Sequence, residues 1–119
     1  MKIIRINDCA EFTAGDKSCL KEIFNPLKEK LSLSYSLAHA LVQEGQSTEK
    51  HKLLSSEVYY ILSGKGIMHI DDKFAEVKSD DTVYIPPHPL QWIENPGKED
   101  LIFLCIVEPA WQPSVEQVL

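Results

Sequence analysis

From position 33 to 107 the chain alternates short apolar runs with clusters of turn-forming residues. Leu33, Tyr35, Leu37, His39 and Leu41 fall on one side of a stretch whose other side is Ser34, Ser36, Ala38 and Ala40. A period of two over ten residues predicts a long strand. Val58 to Leu62 is β-branched and aromatic, and Ser63-Gly64-Lys65-Gly66 breaks it, predicting a strand and a turn. Ile67 to Ile70, Phe74 to Val77, Thr82 to Ile85, Gln91 to Glu94 and Leu101 to Val107 are further strand-like runs. They are separated by Asp71-Asp72, Ser79-Asp80-Asp81, Pro86-Pro87 and Asn95-Pro96-Gly97. Short strands with such regular punctuation indicate an all-β antiparallel sandwich or small barrel. The first thirty residues carry a weaker pattern. Leu20, Ile23 and Phe24 have helical spacing, but Asn25-Pro26 stops the segment, so no long helix is expected there.

Composition narrows the function classes. A chain of 119 residues builds one hydrophobic core and not two. Its net charge of −6 argues against nucleic acid and against an anionic membrane surface as partners. Lys2 and Arg5 bracket only Ile3 and Ile4, too little for a signal-peptide core, and the seven-residue run Leu101 to Val107 is far short of a membrane span. Cys9, Cys19 and Cys105 are odd in number and lack metal-type spacing, so reduced thiols and a cytoplasmic location are expected. Cys105, inside the apolar run, reads as a small core residue.

The candidate chemistry lies ahead of and within the Val58 strand. The stretch reads Gly45-x5-His51-x-Leu53-x3-Glu57-x6-Gly64 and puts an imidazole and a carboxylate on short neighbouring strands. Those groups can start a divalent metal site. Tyr59 shares strand parity with Glu57 and is expected to face the same interior, with Tyr60 facing away. About thirty residues on, Asp80-x5-Pro86-x-His88-x2-Gln91-x3-Asn95 forms a second cluster.

Both stretches resemble the two motifs of the cupin superfamily, Gly-x5-His-x-His-x3or4-Glu-x6-Gly and Gly-x5-Pro-x-Gly-x2-His-x3-Asn. Gly45, His51, Glu57, Gly64, Pro86 and Asn95 match; Leu53, Asp80, His88 and Gln91 depart. Ser56 to Ile61 and Phe103 to Val107 further resemble small single-domain cupins of archaea and bacteria. The resemblance implies a single-domain cupin jelly-roll barrel over 33–108, with 1–32 a strand/loop segment packing on it and 109–119 a tail. It also implies a homodimer. By position the metal set is His51, Glu57 and Gln91, with Leu53 in the place of a second histidine. One nitrogen, one carboxylate and one neutral amide would hold copper or zinc less tightly than a three-histidine site and tilt towards oxygen-tolerant ions such as manganese, iron(II) or magnesium. The cofactor expected is a divalent ion, manganese, iron, zinc or nickel.

Blander roles stand beside each of these. His51 and Glu57 hydrogen-bond each other as readily as they hold a metal. His88, before Pro89, is expected to be extended and unable to copy a positive-φ glycine. His69 is expected at the surface or rim, and His39 in a core or on the pocket wall. Tyr84 and Trp92 are candidate pocket walls, with a subunit contact the other reading of Trp92. Two functions follow, beside a third reading in which the barrel is kept for assembly and the pocket is vestigial. The first is a protein that binds a small polar molecule, such as a sugar derivative or organic acid, through His51, Glu57, Gln91 and Tyr59. The second is a metal-dependent enzyme, isomerase-like or dioxygenase-like, in which Glu57 or Tyr59 moves a proton.

Overall fold

The computed structural model describes residues 1–119. Eleven strands run in chain order: β1 Glu11–Thr13, β2 Cys19–Phe24, β3 Ser36–Val42, β4 His51–Leu53, β5 Ser56–Ser63, β6 Lys65–Ile70, β7 Lys73–Lys78, β8 Thr82–Ile85, β9 Gln91–Glu94, β10 Leu101–Glu108 and β11 Glu116–Val118. Single turns of 3₁₀ helix occupy Ile6–Asp8 and Pro113–Val115. No helix is long and apolar enough to cross a membrane.

The strands form two antiparallel sheets, one in the order β1-β2-β3-β10-β5-β8 and the other β11-β4-β9-β6-β7. Leu20, Ile23 and Phe24, whose spacing suggests one helical face, lie instead in β2, where Leu20 pairs with Ala40 and Glu22 with Ala38. Pairing with β3 overrides a weak local preference. The final residues are also recruited, because Glu116, Gln117 and Val118 pair with Leu53, Lys52 and His51 at the sheet edge.

Turn chemistry sets the corners. Gly64 has φ +87°, and a Cβ there would stand 2.5 Å from the Asp100 carbonyl oxygen, so only glycine fits. Asn95 is buried; its amide donates to the Val42 and Glu99 carbonyls, and its Oδ1 accepts from Gly97 N–H. The core is packed at one end of the barrel by Ile61, Ile85, Ile93, Leu101, Phe103 and Met68. The other end holds His51, Glu57 and Ser36.

Candidate functional site

The unfilled end follows from which side of β3 faces inward. Its small residues Ser36, Ala38 and Ala40 point into the barrel, while Leu37, His39 and Leu41 face out and are only half-buried. Opposite them on β10 stand Val107, Cys105 and Phe103 in register, and beyond those on β5 stand Glu57, Tyr59 and Ile61. Small side chains on β3 leave a cavity of about 190 Å³ against Glu57 and Tyr59. The Tyr59 and Phe103 rings pack with centroids 4.4 Å apart and form its apolar floor.

His51, Glu57 and Gln91 are all buried here, as the two motifs predict. His51 is paired with Gln91 across β4 and β9. The His51 Nδ1–H donates to the Glu49 carbonyl at 2.8 Å, which leaves Nε2 facing the interior. Glu57 is 6 % exposed and Gln91 1 %, and Oε1 of each has no hydrogen-bond partner within the protein. Gln91 lies beside Glu57 but outside the cavity lining, whereas His51, Glu57 and Tyr59 line it.

Two acidic residues outside both motifs complete the wall. Asp16 sits in the turn between β1 and β2, where its Oδ1 accepts from Ser18 N–H and from the Ser18 hydroxyl at 2.6 Å. Its Oδ2 stands 3.9 Å from His51 Nε2. Glu116, on β11, accepts from the Trp111 indole N–H at 3.2 Å and packs over Gly15. Trp111 is anchored in turn by its own N–H to the Ser36 hydroxyl and by its carbonyl to the Asn25 amide. The Asp-x-Ser turn pattern at 16–18 was the only local signal for Asp16. Glu116 carried none, since its place depends on pairing with a strand sixty residues earlier.

Burial, then the Asp16 charge, raises the Glu57 carboxyl well above its ordinary pKa; the Gln91 amide and Tyr59 hydroxyl pull the other way without reversing it. Burial and then Glu57 raise the Tyr59 phenol, and the same two causes raise the Cys105 thiol. All three groups thus favour their protonated forms.

A divalent ion does not fit these donors. No three histidine, cysteine or acidic side chains converge at metal-holding distance. Leu53, 2 % exposed, fills the corner where a second imidazole would stand. The remaining oxygen donor, Gln91, is a neutral amide set behind Glu57, a weak ligand in a recessed position.

Other candidates lie away from the cavity. His39 faces outward between Lys21 and Leu104, where burial and the Lys21 charge lower its pKa. His88 takes φ +87°, against the extended backbone expected before Pro89; its N–H donates to the Leu53 carbonyl at 2.8 Å and holds the position. The pre-proline clash bars the right-handed helical region and leaves this conformation open. Trp92 stacks on His69 at 4.3 Å on the outer face, and Tyr84 is exposed, so neither walls the pocket.

Residues 38–107 match the family described as Cupin domain. An uncharacterised protein of Methanocaldococcus jannaschii is 38 % identical over 122 residues, spanning 100 % of this chain and 97 % of its own. An oxalate-binding protein of Thermotoga maritima is 36 % identical over 64 residues, 53 % of either chain. Among solved structures, a cupin 2 conserved barrel domain protein from Salinispora arenicola superposes with a TM-score of 0.79 at 16 % identity, over 96 % of this chain and 91 % of that one. Bacillus subtilis oxalate decarboxylase, a protein with Mn(II) centres, gives 0.82 at 21 % identity, over 97 % of this chain and 31 % of that one. At such identities the likeness shows the fold alone.

Proposed function

Because the chain belongs to the cupin domain family, and because its own barrel end holds an open cavity with a few buried polar groups in a mainly apolar wall, we propose that it is a small-molecule-binding cupin whose ligand occupies the cavity beside Glu57. The observation that carries this reading is Glu57 itself. A carboxyl held inside a barrel with Oε1 unpaired costs about 1–3 kcal/mol against a satisfied group. A ligand that supplies the missing partner offsets that cost. His51 Nε2 and the Tyr59 hydroxyl offer two further polar contacts, and Phe103 with Ala38 an apolar one.

The protonated forms favoured at Glu57 and Tyr59 suit hydrogen bonding to a ligand better than proton abstraction. Recognition without turnover is therefore the role we assign. Oxalate, after which the Thermotoga maritima relative is named, does not transfer readily. A dianion needs cationic partners on burial, and no lysine or arginine lines this cavity.

Ala38→Trp tests the assignment by filling the space from the β3 side. Thermal melts of wild type and variant against a library of small polar and amphipathic compounds should give stabilising hits for the wild type that vanish in the variant. Hits that survive the filled cavity, or a library with no hits, would overturn the reading.

A further inference from the structure

The sign of the cavity wall says more about the ligand than the family motifs do. Asp16, Glu22, Glu57 and Glu116 all line it, with His51 the only basic side chain among them. Glu22 is neutralised from outside by Lys28 at 2.8 Å. Asp16, Glu57 and Glu116 have no lysine or arginine partner anywhere in the chain. Asp16 and Glu116 come from the β1–β2 turn and from β11, both outside the 38–107 stretch matched to the family. The barrel therefore supplies the space, and the flanking segments supply the charge.

Two independent features indicate that this is a site and not a solvated acidic face. Glu57 Oε1 is buried on the cavity wall with no partner. Around it the lining is largely apolar and aromatic, from Tyr59, Phe103, Trp111 and Phe12. Aromatic faces attract a cation electrostatically, whereas they offer nothing to an anion. An engineered apolar cavity of about 150 Å³ holds benzene. On that scale the 190 Å³ here accommodates one ring or branched alkyl group with a short polar arm.

We propose that the cavity recognises a compact organic cation, a protonated amine on an apolar or aromatic body of about eight non-hydrogen atoms. The proposal rests on the small-molecule-binding reading above and names the ligand class within it. The ammonium group sits between the Asp16 and Glu116 carboxylates and donates to the unpaired Oε1 of the neutral Glu57 carboxyl, and the body packs on Tyr59 and Phe103.

Three probes of one shape separate the charge from the ring: benzylamine, benzyl alcohol and benzoate. Each is titrated at millimolar concentration into the purified full chain, with melting temperature and calorimetric heat as readouts. Benzylamine should bind saturably and raise the melting temperature, benzyl alcohol weakly, and benzoate not at all. Asp16→Asn and Glu116→Gln keep the Ser18 and Trp111 hydrogen-bond acceptors, so both should fold. Each should weaken benzylamine by about tenfold. Binding of benzoate without benzylamine overturns the amine proposal and leaves a binding pocket standing. Benzylamine affinity unchanged in both variants overturns it too, as does stabilisation by manganese or zinc chloride that benzylamine does not reproduce. If none of the three probes binds, the proposal and the pocket reading beneath it fall together.

Discussion

Replacing Glu57 with glutamine keeps the shape of the side chain and removes its titration. In the wild type, burial and Asp16 raise this carboxyl above its ordinary value, so the folded protein holds the proton to higher pH than the unfolded chain does. Below the unfolded pKa both states are protonated, and Glu57 costs no more than glutamine. As the pH climbs past that point the unfolded chain releases its proton first. Wild-type stability then falls by up to about 1.4 kcal/mol per pH unit until the folded pKa is passed. Glu57→Gln has no such loss. Its advantage should therefore be near zero around pH 4 and should grow through the weakly acid range before levelling off. In a domain of this size each kcal/mol is worth roughly 4 °C of melting temperature. Urea unfolding of both proteins at half-unit steps from acid to neutral pH gives the difference curve, in which the acidic groups that do not couple to Glu57 cancel. Asp16→Asn removes the second cause of the shift and should end the loss at lower pH. A flat difference curve, or a variant less stable than wild type at neutral pH, would refute the argument.

Other changes probe the scaffold and the missing donor. Leu53→His puts an imidazole beside His51 and Glu57; melting should become sensitive to added zinc or nickel, with the metal-free variant about 1–3 kcal/mol less stable than wild type. No metal response in that variant would show that the corner does not face the motif residues. Asn95→Ala removes three hydrogen bonds at a buried corner and should cost about 2–4 kcal/mol in urea denaturation. Gly64→Ala forces a Cβ against the Asp100 carbonyl at positive φ and should lower the urea midpoint by about 1–3 kcal/mol in stability.

The barrel was legible wherever turn residues bracket a strand. Thr82–Ile85 and Gln91–Glu94 occupy the spans that Asp80-Asp81, Pro86 and Asn95 delimit. The interior parity of Glu57, Tyr59 and Ile61 could also be read, because a strand alternates strictly once one residue is placed. The inward side of β3 could not. Its larger residues suggest a core face, yet the register with β10 and β5 points Ser36, Ala38 and Ala40 inward, and the cavity exists for that reason. Asp16 and Glu116 were illegible for a related cause. Each is local to a turn or a three-residue strand, and only long-range pairing brings them to Glu57.

That three-residue strand has a kinetic consequence. β11 is held to β4 over Glu116 to Val118, with the Leu119 N–H to Lys50 carbonyl bond beyond it. So short a ladder opens at a fraction of the free energy needed to unfold the eight-residue β10 at the centre of its sheet. Its amides should exchange with deuterium far sooner than those of β10. The same fraying carries Glu116 off the cavity wall and loosens Trp111, so a ligand held as proposed would leave by local breathing at one sheet edge and not by global unfolding.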